Sequence, residues 1–376
     1  MKPLETQLID AAKSVLQKNQ GKHFTKIAPG YEVYPWSWDT GFVALAYARF
    51  DLNRAVQELR QLFDKQADNG MLSQVEDCGK AAGILDPTQL QLVEQAAAKL
   101  QTSGIATPPV YAFVLWRIYE ITRNKARAKA ILKEFYPKVL ALHRYLYRYR
   151  DPLQEGLISL HHPWESGKGQ FFHPFLIQDP FFNGLLSYSN ECLIKIGSLL
   201  GENIHEIMDW HELTIFSMNE KLWDKERGIY NAYDMQGECS IQVHSISGFI
   251  PMIGEVPTQD QAEAMLLFLE SEHFGGKQDD LYCFPGYSLL QDDVDFENPW
   301  KGPICLKMNW MLYQGLCRYD MHEMADLVRR DSMELLSQYG FYECFDPRKK
   351  TLGHLGLGAS NYSCSAAIGI EFLLGE

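Results

Sequence analysis

The stretch Leu4-Glu5-Thr6-Gln7-Leu8-Ile9-Asp10-Ala11-Ala12-Lys13-Ser14-Val15-Leu16 sets the pattern of this chain. Leu8, Ile9, Ala12, Val15 and Leu16 return at three- and four-residue spacing, which gives a helix one apolar face and one polar face. Similar segments recur near 40–49, 54–67, 88–101, 109–122, 126–148, 179–200, 203–221, 258–271, 306–319, 322–339 and 364–374. Asp51 ahead of 54–67 and Asp86-Pro87 ahead of 88–101 are helix start signals. Strand signals are short and local. Leu222 to Tyr230 carries an acidic turn and Gly228 between aromatic strand formers, which predicts a small hairpin, and Phe341 to Pro347 reads as a second such element. Twelve helices make roughly one helical hairpin per 60 residues, which suits hairpins packed in a closed ring. The expectation is an all-α fold, with short β-hairpins in the loops, forming one domain over 1–376.

Composition narrows the function. Acidic residues outnumber basic ones, 48 to 35, for a net charge of −13 and a pI near 5.4. The longest basic run is Arg348-Lys349-Lys350, so no footprint for nucleic acid is present. No apolar stretch approaches the ~18–20 residues that span a bilayer. The opening Met1-Lys2-Pro3-Leu4-Glu5-Thr6 is unlike a secretory signal. Eight scattered cysteines, with no C-x-x-C pair, read as reduced thiols and give neither a disulfide framework nor a metal site. A cytoplasmic protein with no metal or other cofactor is expected.

Four clusters carry the chemistry. Tyr34-Pro35-Trp36-Ser37-Trp38-Asp39 places large rings beside a carboxylate. Ring faces pack on the C–H edges of a sugar and a carboxylate accepts its hydroxyls, or else the rings fill the core while Asp39 caps a helix. His161-His162-Pro163-Trp164-Glu165-Ser166-Gly167-Lys168 reads either as an ordinary turn or as a loop presenting Trp164 and Glu165 to a cavity. After Glu297-Asn298-Pro299-Trp300-Lys301-Gly302-Pro303, Lys307 falls among Ile304, Leu306, Met308 and Met311. It either snorkels to the surface or reaches an anionic ligand. Glu343, set between Tyr342 and Cys344 in Phe341 to Phe345, is either exposed on a strand or a desolvated acid or base.

Taken together and in order, these motifs resemble the bacterial branch of glycoside hydrolase family 63, in particular the mannosylglycerate and glucosylglycerate hydrolases. Trp38-Asp39-Thr40-Gly41-Phe42 is similar to W-D-S-G-F-H, and Thr102-Ser103-Gly104-Ile105-Ala106-Thr107-Pro108-Pro109 to T-S-G-I-T-Q-P-P. His162-Pro163-Trp164-Glu165-Ser166-Gly167 resembles H-P-W-E-S-G, and Asp179-Pro180-Phe181-Phe182-Asn183 resembles D-P-L-F-N. Gln66 with Asn69-Gly70-Met71, Trp300-Lys301-Gly302-Pro303 with Asn309-Trp310, and Phe341-Tyr342-Glu343-Cys344-Phe345-Asp346-Pro347 complete the set.

The resemblance implies an (α/α) six-hairpin barrel that hydrolyses an α-glycoside with inversion and without a metal. Two carboxyl groups roughly 6.5–9.5 Å apart would protonate the leaving oxygen and activate water. Glu343 matches the base. The acid has no match, because Gly169 stands where the family has Asp, and the stretch from there to Asp179 is shortened. Val43, Cys305, Lys307 and Cys364 replace the family's residues at neighbouring motif positions. Glu165 is the substitute acid that this reading offers, beside Asp39 and His173. Trp36, Trp38, Asp39, Gln66, Trp164, Trp300 and Lys307 would line the sugar site. The expected ligand is a small α-glucoside or α-mannoside, anionic ones included. The alternative is a protein that binds sugar without hydrolysis, or one that runs elimination or isomerisation in the same cleft.

Overall fold

The computed structural model describes residues 3–30, 37–73, 105–166, 176–275, 279–282, 284–299, 301–349 and 353–375. Among these residues it places α1 (Pro3–Asn19), α2 (Ser37–Ala48), α3 (Leu52–Phe63), α4 (Tyr111–Ile121), α5 (Lys125–Tyr149) and α6 (Pro180–Leu200). There follow α7 (His205–Ser217), α8 (Gln259–Leu269), α9 (Leu306–Arg318), α10 (His322–Tyr339) and α11 (Ser363–Leu374). Eleven of the twelve expected segments are therefore helical, and the twelfth, 88–101, lies outside the described residues. Local chemistry sets the starts. Asp51 Oδ1 accepts the backbone N–H of Arg54 at 3.0 Å and caps α3. Asp179 does the same for α6, with Pro180 filling the first turn, where a missing N–H costs nothing.

The helices form a circuit. α2 packs on α4, α4 on α6, α6 on a 3₁₀ segment (Ile246–Gly254), that segment on α9, α9 on α11, and α11 on α2 again. α1, α3, α5, α7 and α10 each lie against a member of this circuit. The 3₁₀ segment was not expected from the sequence. Ile246-Ser247-Gly248-Phe249-Ile250-Pro251-Met252-Ile253-Gly254 has a proline, two glycines and β-branched residues, all weak helix formers, yet every one of them is buried. Close packing holds it there. A Cβ on Gly184 of α6 would come within 2.8 Å of Pro251 Cα, so only glycine admits the approach.

At the centre, Trp38, Phe42, Phe113, Phe181 and Trp310 meet ring to ring at centroid distances from 5.7 to 6.3 Å. Polar contacts join the two ends of the described chain. Arg49 makes a two-pronged ion pair with buried Glu371, both bonds at 2.9 Å. Asn19 Nδ2 donates to Asn361 O and Ser363 Oγ at 2.8 and 2.9 Å.

Strands are short. The expected hairpin is present as β3 (Trp223–Asp224) against β4 (Ile229–Tyr230). β7 (Tyr342–Phe345) pairs antiparallel with β8 (Gly356–Ser360). A four-stranded sheet, β1 (Ser159–Leu160), β2 (Ile177–Gln178), β5 (Ala232–Asp234) and β6 (Cys239–Ile241), went unforeseen because two- or three-residue strands carry no readable alternation.

Candidate active site

Glu343 lies at an irregularity of β7. Tyr342 pairs with Ser360 and Cys344 with Leu357, so one residue of β7 faces two of β8. The extra residue is absorbed at Gly358, whose φ is +72°, the left-handed conformation that a bulge glycine takes. The bulge turns the N–H of Ala359 toward Glu343 Oε2, at 3.3 Å. A Cβ on Gly358 would stand 2.6 Å from that same oxygen, so the glycine is needed for space as well as for φ. Burial pushes the Glu343 carboxyl up from its ordinary value. The Ala359 N–H and the Lys307 charge oppose the rise, and Asp39 adds to it.

Lys307 does not snorkel to the surface. It is buried, and its ammonium donates to Asp39 Oδ1 at 2.6 Å while lying 3.5 Å from the centroid of the Trp38 ring. Burial pulls its pKa down, but the Asp39 carboxylate leads the contributions that carry it above the ordinary lysine value. Nor does Asp39 cap its helix. It occupies the first turn of α2, with Tyr362 Oη at 3.4 Å from Oδ2 and a hydrogen bond from the Cys364 thiol. Trp38 is buried in the aromatic core and serves as the platform under Lys307.

Glu343, Lys307 and Tyr362 border one cavity with the thiols of Cys305, Cys344 and Cys364. Its volume is about 20 Å³, the room that one ordered water needs. Trp36, Gly169 and His173 lie outside the described residues, as does Trp300, which follows the cavity-lining Pro299. Trp164 contributes backbone to a 3₁₀ turn (Pro163–Ser166), and its side chain is outside the description.

Glu165 is hydrogen-bonded through both of its oxygens. Its Oε1 accepts Arg150 Nη2 and the Ala106 N–H, both at 2.8 Å. Its Oε2 accepts Arg150 Nη1 at 3.0 Å and the His161 N–H at 2.7 Å. A carboxylate offers about four lone-pair positions, and all are taken. The group is 1% exposed. These bonds tie a knot between loops: Ala106 bridges Ser73, and Ser37 in the first turn of α2 grips the Ser73 carbonyl. Gln66 is also spent on the backbone, its amide donating to Gly70 O and Lys138 O at 2.8 Å each. Arg150 and Gly358 escaped the sequence reading. A Gly-x-Gly inside a strand, as in Gly356-Leu357-Gly358, is the bulge signal that marks the second.

A family profile described as the mannosylglycerate hydrolase MGH1-like glycoside hydrolase domain matches residues 32–171 and 168–365. The chain belongs to this family and is a glycoside hydrolase by membership. A mannosylglycerate hydrolase of Rubrobacter radiotolerans is 30% identical, covering 99% of this chain and 98% of the relative. A glucosylglycerate hydrolase of Mycolicibacterium hassiacum is 25% identical over 98% of each chain. The crystal structure of a family 63 mannosylglycerate hydrolase from Thermus thermophilus in complex with glucose superposes with a TM-score of 0.84 at 31% identity, covering 98% of this chain and 99% of that one. The two matched segments of the family profile overlap at 168–171, the stretch that contains Gly169. The 441-residue alignment with the Rubrobacter enzyme exceeds this chain's 376 residues by 65, so the relative carries segments that this chain lacks.

Proposed function

We propose that this chain hydrolyses a small α-glucoside or α-mannoside of a hydroxy acid such as glycerate, with inversion, and that Glu343 is the general base. The observation that carries the reading is the Glu343 carboxyl, raised by burial, held on β7 opposite the β8 bulge and bordering a water-sized cavity. In this mechanism Glu343 takes a proton from water as the water oxygen bonds to the anomeric carbon and the glycosidic oxygen departs with the bonding electrons. The glyceric acid class rests on the relatives' names. Lys307 is neutralised by Asp39 and is therefore assigned to orienting Asp39, not to holding the substrate's charge. Glu165 is assigned to scaffolding, and Gln66 with it. Trp36, Trp164 and Trp300 remain the proposed sugar-facing rings, with Trp38 behind them.

The closed circuit of α2, α4, α6, the 3₁₀ segment, α9 and α11, each but one backed by a further helix, supports an (α/α) six-hairpin barrel in a single domain over 1–376. Acidic charge and eight cysteines suit a reducing, cytoplasmic setting with a small carbohydrate as ligand and no nucleic acid partner.

With Gly169 at the acid's position and Glu165 saturated, departure of an unactivated alcohol is unassisted. The same observation favours a second reading, a cleft that binds sugar without hydrolysis. Turnover of α-mannosylglycerate and α-glucosylglycerate, compared with the corresponding α-glycosyl fluorides, separates the two. Fluoride leaves without a proton, so the fluorides should react faster by about 10²–10⁴-fold, the contribution of a general acid. Equal rates would mean that a working acid exists. Turnover of neither class, with the fold intact, would overturn hydrolysis and leave the binding reading.

A further inference from the structure

The cavity wall contains two cysteines that face each other across a backbone pairing. Ile304 and Phe345 form an antiparallel bridge and exchange both backbone hydrogen bonds, Ile304 N–H to Phe345 O at 2.7 Å and Phe345 N–H to Ile304 O at 3.0 Å. One step along an antiparallel register from such a pair is a pair without hydrogen bonds, whose side chains share a face and whose Cα atoms stand about 4.5 Å apart. Here that step joins Cys305 and Cys344. Cys305 is extended, with φ −104° and ψ 112°, so the register runs through it, and Cys344 lies within β7. A disulfide requires Cα atoms roughly 4.4–6.8 Å apart with side chains on one face, which is the geometry that a pair in this register is expected to have. Both thiols line the same cavity and both are unbridged.

We propose that Cys305 and Cys344 are a redox-modifiable dithiol that closes to a cross-strand disulfide. The oxidant is a small-molecule disulfide of the glutathione type. The Cys305 thiolate attacks one of its sulfurs, forming a mixed disulfide and releasing one thiolate. The Cys344 sulfur, giving up its proton, then attacks Cys305 Sγ and releases the second. Two protein thiols are oxidised and one small disulfide is reduced to two thiols. Order follows from exposure, because Cys305 is half-buried and Cys344 is 2% exposed, its thiol donating to Leu357 O at 3.8 Å. Burial raises both thiols, while the Lys307 charge pulls Cys305 the other way. The reaction is therefore slow at neutral pH and quickens under mildly alkaline conditions. The bond would tie the strand bearing Glu343 to the N-terminus of α9, which carries Lys307. The inference stands on register alone and is independent of whether the site hydrolyses a glycoside.

The test uses the full folded chain. It is incubated with oxidised glutathione at mildly alkaline pH, quenched with acid, alkylated and mapped by peptide mass. The expected result is a loss of about 2 Da, for two hydrogens, in a linked Cys305/Cys344 peptide that dithiothreitol reverses. Exposed Cys239 acquires a glutathione adduct and reports that the oxidant acted. Cys305→Ser and Cys344→Ser each abolish the link, and Cys317→Ser leaves it. A Cys239 adduct without the 305–344 link overturns the proposal, as does a link that runs through Cys364. Mapping of the unaltered chain decides the matter even if a serine variant fails to fold.

Discussion

Glu343 and Gly358 form one device in which a glycine on β8 makes both the backbone turn and the space that the carboxyl on β7 occupies. Two expectations follow at this scale. Because burial raises the Glu343 carboxyl, the acid limb of the kcat/KM profile should fall at a pH above the ordinary glutamate value of 4.5. The sign for stability is opposite to that for activity. A carboxyl whose pKa is raised by folding adds stability below its unfolded value and loses it as pH rises through the raised one. Glu343→Gln should therefore melt no lower than the parent at neutral pH; a drop in Tm would contradict the burial argument. Gly358→Ala forces an L side chain into a left-handed φ and against Glu343 Oε2. It should lower both Tm, through strain of about 1–3 kcal/mol, and kcat/KM, and an unchanged kcat/KM would separate the glycine from the site. The Phe341 to Pro347 motif makes Glu343 legible in the sequence. Lys307 meeting Asp39 is not legible, since the two are 268 residues apart and no local pattern links them.

At the scale of elements, periodicity and capping residues locate helices well, because an amphipathic face and a cap are written in contiguous sequence. Asp51 and Asp179 behave as their chemistry demands. Ile246–Gly254 eluded that reading because tertiary packing against α6 and α9 overrides poor local propensity. The Arg150–Glu165 knot eluded it for a related reason. Arg150, at the C-terminal end of α5, is one of several arginines in Arg144 to Arg150, and only the folded chain selects it. The pair is buried at both ends, with side-chain exposures of 8% and 1%. Arg150→Met strands a buried carboxylate and should cost about 3–5 kcal/mol in denaturant unfolding. Adding Glu165→Gln should recover part of that loss, since the unpaired charge is gone. A cost near zero for the single variant would mean that the knot does not hold the loops behind Asp39.

For the molecule as a whole, the ends of the chain matter as much as its centre. Ser363 N–H donates to Ile27 O at 2.7 Å and its hydroxyl to Lys26 O at 2.6 Å, so α11 is pinned beside α1 and α2. That closure brings Tyr362 and Cys364 of the C-terminal segment, Asp39 of the N-terminal segment and Lys307 of α9 to one place. An open array of the same helices would leave these residues far apart. The claim that depends on this assembly is inverting hydrolysis with Glu343 as base. Proton NMR of the anomeric region during reaction of an α-mannosyl or α-glucosyl fluoride tests it directly, with Glu343→Gln run alongside. The account predicts that the β-anomer appears first and that the variant is slower by about 10²–10⁴-fold. The α-anomer appearing first, or a variant as fast as the parent, would contradict it.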